Sequence, residues 1–404
     1  MATVLVINSG SSSGKYQLID PATGQSLASG ILERIGQDRG RALHETGGAR
    51  FERECSLPDH SAAFAEMLSA FAEHGPSLDE LIAVGHRVVQ GGARYREPTL
   101  ITVEVERHIS ELAPLAPLHN PANLQGILAA REAFPDVPHV AVFDTAFHQT
   151  IPEAAYTYAI DAELAKRYGV RRYGFHGTSH RYVSRAAAEF ISRPIHELNQ
   201  IVFHLGNGAS VCAIAGGKSL DVSMGMTPLE GLVMGSRSGD IDPAVLIYLA
   251  RVAELSIDQL DHLLNADSGM RGLAGHSDMR DISAAADAGD HAAQLALDVY
   301  VHRAKGYLGN YFAKLGRLDL IAFTAGVGEN APSIRERICA GLEGWGIEID
   351  PVANAVRSAY PRQISTPASR IKVLVVPTNE EAEIARQTIE AIGRAPQPSV
   401  GGDD

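Results

Sequence analysis

Short apolar runs rich in β-branched residues alternate along the chain with longer stretches of helical periodicity, a pattern that argues for α/β architecture. The runs at 3–7, 83–89, 139–143, 200–204, 320–324 and 372–376 predict buried strands. The stretches at 61–74, 121–133, 179–191, 243–254, 292–315 and 380–392 predict helices. One pattern occurs twice. Val4-Leu5-Val6-Ile7-Asn8-Ser9-Gly10-Ser11-Ser12-Ser13 and Ile201-Val202-Phe203-His204-Leu205-Gly206-Asn207-Gly208-Ala209-Ser210 each read as a buried strand, an Asn/Gly turn, small hydroxyl residues and a second strand. Aligned at Gly10 and Gly208 they lie 198 residues apart, almost half of the 404-residue chain. A lone Asn-Gly turn is an ordinary hairpin. Two copies at this spacing predict a duplicated domain, each copy offering a glycine-lined hairpin to a shared cleft, with the boundary near 151–152.

Length supports the division, since roughly 150 residues per domain predicts two or three domains here. At 45% hydrophobic and 21% charged, the composition is globular. The net charge of −13 disfavours a nonspecific grip on nucleic acid or anionic lipid. An anionic ligand therefore needs a local cluster of cations. Cys55, Cys212 and Cys339 are dispersed, without a CxxC pair, which fits a reducing cytoplasm. Neither a signal peptide nor a membrane span is read in the sequence, and the Pro-, Gly- and Asp-rich segment 395–404 is expected to fray.

Several segments carry candidate chemistry. Gly10-Ser11-Ser12-Ser13-Gly14-Lys15 offers backbone amides and one cation, but three residues between its glycines and Tyr16 after the lysine depart from a Walker A loop. Gly206-Asn207-Gly208 and Gly326-Val327-Gly328-Glu329-Asn330 are also read as glycine turns after strands, where backbone can approach a ligand closely. Three such turns suggest a nucleotide held from several sides. Arg87, in an apolar strand ending in Gly91-Gly92, is either a salt-bridge partner or a ligand clamp. Arg237, among small residues, is either a solvated loop arginine or a charge reaching into a cleft. His176 and His180 stand four apart, but Gly177 disfavours a helix there and no glutamate follows as in HExxH, so zinc is not favoured; Ser179 reads as a helix N-cap. Asp144 ends a buried strand, where α/β sites form, and a lone aspartate there is more often a cap or metal ligand than an acid or base.

Together these segments resemble the acetate kinase family. The matching runs are VLVINSGSSSGK from Val4, GHRVVQGG from Gly85, LAPLAPLHNP from Leu112, VFDTAFHQ from Val142, YGFHGTSH from Tyr173, HLGNG from His204, SMGMTPLEG from Ser223, GSRSGDIDP from Gly235, FTAGVGEN from Phe323 and PTNEE from Pro377. They span residues 4 to 381 in the family's order. The resemblance implies two duplicated ribonuclease-H-like, actin-like ATPase domains of βββαβαβα type around an interdomain cleft: 1–150, then 151–380, with the helix at about 381–394 packing back on the first.

It further implies reversible transfer of the ATP γ-phosphoryl group to acetate, with Mg²⁺, or Mn²⁺, held by Asn8 and Glu380. Lys15 and the segment His204, Leu205, Gly206, Asn207 and Gly208 would face the phosphates. Asp278, Met279, Arg280 and Gly326, Val327, Gly328, Glu329, Asn330 would receive adenosine. Arg87 would clamp the acetate carboxylate, with Val89, Leu118, Phe175 and Pro228 around its methyl group. Arg237 and His176 would stabilise the phosphoryl group in flight. The family's Asp144 is a catalytic acid/base, yet an acetate acceptor is ionised at pH 7 and has no proton to lose, so we expect Asp144 to orient metal-bound water or Arg87. A homodimer is implied. Gln90 stands where the family commonly has histidine, which bears on substrate preference; Gly14 and Ala93 are further departures. Propionate or another short-chain carboxylate is the alternative acceptor, because one methylene discriminates by only ~1–3 kcal/mol. A nucleotide-switched chaperone or filament subunit leaves Arg87, His176 and Arg237 without a task.

Overall fold

The computed structural model describes residues 2–394; the segment 395–404, expected to fray, lies outside them. The chain forms two compact units, one taking the residues through Ala146 and those from Asn379, the other Phe147–Thr378. The change of unit at Phe147 has a local cause. His148 is fully buried, with Nε2 2.9 Å from the Phe175 carbonyl and Nδ1 2.9 Å from Ser219 Oγ, both in the second unit.

The first unit contains strands β1 (Thr3–Ser9), β2 (Ser13–Asp20), β3 (Gln25–Glu33), β4 (Gln37–Thr46), β5 (Ala49–Leu57), β6 (Leu81–Val88), β7 (Thr99–Leu100) and β8 (His139–Phe143). The second contains β9 (Asn199–Leu205), β10 (Ala209–Ala215), β11 (Lys218–Val222), β12 (Leu320–Thr324), β13 (Arg362–Gln363) and β14 (Lys372–Val375). Their sheet orders are β5-β4-β3-β2-β1-β6-β8-β7 and β11-β10-β9-β12-β14-β13. Within these, β3-β2-β1-β6-β8 and β11-β10-β9-β12-β14 have the same order and sense, an antiparallel meander leading into three parallel strands. The repeated hairpin pattern is thus two copies of one fold. All six apolar runs are strands, and β8 and β12 are buried at every residue, as strands covered on both faces must be.

Helices supply that cover. Helix Glu380–Arg394 places Ile384, Ala385 and Ala391 against Val4, Val6, Val140 and Val142 of the first sheet. Helix Gly177–Phe190 places Val183, Ala187 and Ala188 against Val202, Ala322 and Leu374 of the second. Gly85 makes the first contact possible: a Cβ there would sit 2.4 Å from Thr388 Oγ1.

Two local expectations are overturned. Helix Gly177–Phe190 starts at Gly177, and its N-cap is His176 at φ 55°, not Ser179. Tertiary bonding outweighs the capping preference of serine, because the buried Ser179 hydroxyl lies 2.8 Å from His204 Nδ1 and 2.9 Å from Thr378 Oγ1. The segment 326–330 is a short helix, Ala325–Asn330, rather than an open turn. Glu329 reaches back to accept from the Ala325 amide at 2.9 Å, satisfying an otherwise orphaned donor.

Candidate active site

In the first unit the candidate residues gather at the carboxyl ends of three adjacent parallel strands, where α/β proteins place ligands. Asn8 is near the end of β1, Arg87 near the end of β6, and Asp144 follows β8, its amide donating to the Val88 carbonyl at 2.9 Å. Arg87 Nε lies 3.1 Å from both Asp144 oxygens and Nη2 lies 2.6 Å from Oδ2. Arg87 Nη1 reaches Asn8 Oδ1 at 3.5 Å, and Nε is 4.0 Å from Glu380 Oε2. Burial works against the guanidinium, but the charges of Asp144 and Glu380 outweigh it and raise its pKa. Burial pushes the Glu380 carboxyl up to about 7, with Asp144 adding to the shift and Arg87 opposing it.

Lys15 is the direct cross-strand partner of Asn8 in the β1–β2 hairpin and is exposed. Three oxygen donors gather around the Arg87 guanidinium here: the Asn8 amide oxygen and the Asp144 and Glu380 carboxylates. They fit a hard cation such as Mg²⁺, which keeps several waters and takes one or two carboxylates. Among the described residues no group of three or more His, Cys, Asp or Glu is placed to hold a metal ion.

The second unit assembles a different group. The His176 and His204 rings stack with centroids 4.2 Å apart. His176 Nδ1 is 2.9 Å from Ser210 Oγ, whose other neighbour is His180 Nε2 at 2.8 Å. A Cβ on Gly208 would lie 3.5 Å from His176 Nε2 and 3.6 Å from Arg237 Nη1, so imidazole and guanidinium converge on bare backbone. Burial lowers the Arg237 pKa, and among the described residues no salt bridge offsets it. Gly206 and Asn207 open onto a cavity of about 800 Å³, also lined by Asp278, Met279, Arg280, Gly326, Val327 and Asn330. His204, Leu205 and Gly328 are close by: Leu205 and Gly328 pack together, and Glu329 accepts hydrogen bonds inside the helix Ala325–Asn330. Asp278 caps helix Met279–Asp287 and pairs with Arg280, which holds its carboxyl down at about 2.

The expected methyl-pocket residues differ in setting. Val89 and Phe175 are buried, Pro228 is half-buried, and Leu118 is 71% exposed.

Positioning residues that escaped the sequence reading are asparagines and arginines inside the units. Asn123 accepts from the Val89 amide at 3.0 Å and donates to the Ser9 carbonyl at 2.6 Å, stapling the ends of β1 and β6. Asn120 exchanges two bonds with the Gln90 backbone. The signal was present: two asparagines at helical spacing in an otherwise apolar face. Arg335 is buried and donates to the Gly328 and Glu329 carbonyls, tying the short helix beside the cavity.

Comparison with known proteins places this arrangement. The model of the acetokinase family matches residues 3–386. An acetate kinase of Leifsonia xyli subsp. xyli is 62% identical over 394 residues, covering 97% of this chain and 99% of the relative. The crystal structure of Porphyromonas gingivalis acetate kinase superposes with a TM-score of 0.93 at 43% identity, covering 97% of this chain and all of that one. A propionate kinase structure from Francisella tularensis subsp. tularensis gives 0.91 at 40% identity over 96% of this chain and all of that one. Motifs, duplicated sheets and near full-length identity agree, and the chain belongs to the acetokinase family.

Proposed function

We propose that this protein catalyses reversible transfer of the γ-phosphoryl group of ATP to acetate, giving acetyl phosphate and ADP. The observation that carries this reading is the convergence of His176 Nε2 and the uncompensated Arg237 on the Gly208 backbone, beside a cavity of about 800 Å³ large enough for a nucleoside. Glycine backbone with an imidazole and a guanidinium beside it suits phosphate oxygens. In the forward direction a carboxylate oxygen of acetate bonds to the γ-phosphorus as the bond from phosphorus to the β–γ bridging oxygen breaks, leaving ADP. Arg237 and His176 stabilise the charge on the three equatorial oxygens in transit. Lys15 and the 204–208 segment hold the phosphates, while the 278–280 and 326–330 segments receive adenosine.

Arg87 binds the acetate carboxylate. Its bidentate pair with Asp144 supports an orienting role for that carboxylate, since acetate has no proton to give up. Asn8 and Glu380 would hold Mg²⁺, or Mn²⁺, which when bound supplies charge to the β- and γ-oxygens. Dispersed free thiols support a reducing, cytoplasmic setting, and no helix of the described residues is long and apolar enough to cross a membrane.

Homodimerisation belongs to the same reading. Helix Ala244–Val252 has no buried residue, and Val245, Ile247, Tyr248, Val252 and the nearby Ile257 leave a broad apolar face in solvent. Faces of this kind mark interaction sites, and we assign this one to a second copy of the chain. The activity is tested by ³¹P NMR of the protein with ATP, Mg²⁺ and acetate: an acetyl phosphate resonance that grows as ADP appears supports it, and ADP without an acyl phosphate contradicts it.

A further inference from the structure

We propose that Ser210 is a positioning residue whose hydroxyl donates a hydrogen bond to His176 Nδ1 and so fixes the His176 proton on Nε2, with His180 anchoring the Ser210 hydroxyl. The inference rests on the reading of His176 as a group that faces phosphate. Ser210 is fully buried in β10, directly opposite His204 in the β9–β10 register. A polar side chain in a strand buried at every position but its last is unusual, and this one touches two imidazoles at once, His176 Nδ1 at 2.9 Å and His180 Nε2 at 2.8 Å.

One hydroxyl proton must serve this bridge. If His180 Nε2–H donates to Ser210 Oγ and Ser210 O–H donates to His176 Nδ1, all three atoms are satisfied and His176 carries its proton on Nε2. If the chain runs the other way, His176 Nδ1–H donates to Ser210, Ser210 donates to His180 Nε2, and His180 must hold its proton on Nδ1. That atom is buried and has no hydrogen-bond partner among the described residues. An orphaned buried N–H is rarer and costlier than an unfilled acceptor lone pair. The first direction therefore prevails.

His180 is suited to the anchor role because it is fully buried and stays neutral: burial lowers its pKa well below the usual imidazole value, and the neighbouring His148 and His204 push the same way. The tautomer decides what His176 offers. With the proton on Nε2, the ring presents a donor toward Gly208, where Arg237 also points. With the proton on Nδ1, it presents a lone pair, which repels phosphate oxygen. Which ring nitrogen is protonated is set by the bond the other one makes, and here that bond comes from Ser210.

The test uses the full-length protein. Side-chain ¹⁵N NMR of the wild type should show a bare imine nitrogen at His176 Nδ1 and a protonated Nε2; a bare Nε2 overturns the proposal. Ser210→Ala should mix the tautomers and lower kcat about 10-fold or more, the range for losing a partner that orients a functional imidazole. KM for ATP and the melting temperature should change little, and Ser210→Thr, which keeps the hydroxyl, should recover kcat. In a His176→Gln background, Ser210→Ala should have no further effect on kcat; an additive effect shows that Ser210 does not act through His176. If His176→Gln alone leaves kcat unchanged, the phosphate-facing reading of His176 fails, while the NMR result still decides the direction of the bridge.

Discussion

Arg87 grips Asp144 with two nitrogens, Nε at 3.1 Å from both carboxylate oxygens and Nη2 at 2.6 Å from one, and only about a fifth of its side chain is exposed. The guanidinium is therefore aimed before any ligand arrives. Breaking a buried pair from one side costs about 3–5 kcal/mol. Asp144→Ala should lose both stability and acetate affinity. Asp144→Asn keeps an acceptor for Arg87, and its residual kcat should keep every ionisation of the wild-type pH profile, with the one from Glu380 moved to lower pH because the Asp144 charge no longer raises it. A profile that loses one ionisation in Asp144→Asn would indicate proton transfer by Asp144.

Arg237 is half-buried with no salt-bridge partner among the described residues, which costs stability in the resting protein. Arg237→Ala should lower kcat by about 10³-fold or more, as for an arginine finger. Its melting temperature should stay level or rise, the signature of a residue kept for function. Thermal melts beside steady-state kinetics check both halves.

Gly208 leaves open the space on which His176 and Arg237 converge. Gly208→Ala adds a Cβ at ordinary contact distance, 3.5 Å from His176 Nε2 and 3.6 Å from Arg237 Nη1, so the fold should survive. The methyl group occupies the approach assigned to phosphate, so KM for ATP should rise while the denaturation midpoint holds.

How legible the site was depends on whether a residue's neighbours in sequence are also its partners. Asn8, Arg87 and Asp144 stand out because each interrupts or ends an apolar strand, and the fold places those ends side by side. The pairing of Gly10 with Gly208 exposed the duplication because the hairpin and the strand before it are local. Ser179 misled because its N-cap preference is local, whereas its real partners, His204 and Thr378, are distant in sequence. Gly326–Asn330 misled in the same way: glycines suggest a turn, but the Glu329 side chain caps the first amide of a helix. Asn123 and Ser210 act through bonds that no spacing rule displays.

Buried imidazoles give the fold an acid limit. Burial holds His148 at about 4 and lowers His86, His139 and His180. Each binds its proton more weakly when folded than when unfolded, where the value is about 6.5. Between about pH 6.5 and 4 the unfolded chain therefore holds more protons, and stability falls as pH falls through that window. Urea midpoints at pH 7.5, 6 and 5 should decline in that order. A flat series would contradict neutral burial of these rings.

The apolar helix Ala244–Val252 should make the protein a dimer in light scattering, and Tyr248→Asp, at a side chain 62% exposed, should convert it to monomer without lowering the melting temperature of the isolated units. A wild-type monomer would remove the second copy from that face.

The most direct measurement of the activity traps acyl phosphate with hydroxylamine while ATP, Mg²⁺ and one of acetate, propionate or butyrate are supplied. The expected result is hydroxamate from all acids that turn over, with kcat/KM highest for acetate. Hydroxamate from none of them would contradict carboxylate phosphorylation, and a higher kcat/KM for propionate would contradict acetate as the preferred acceptor.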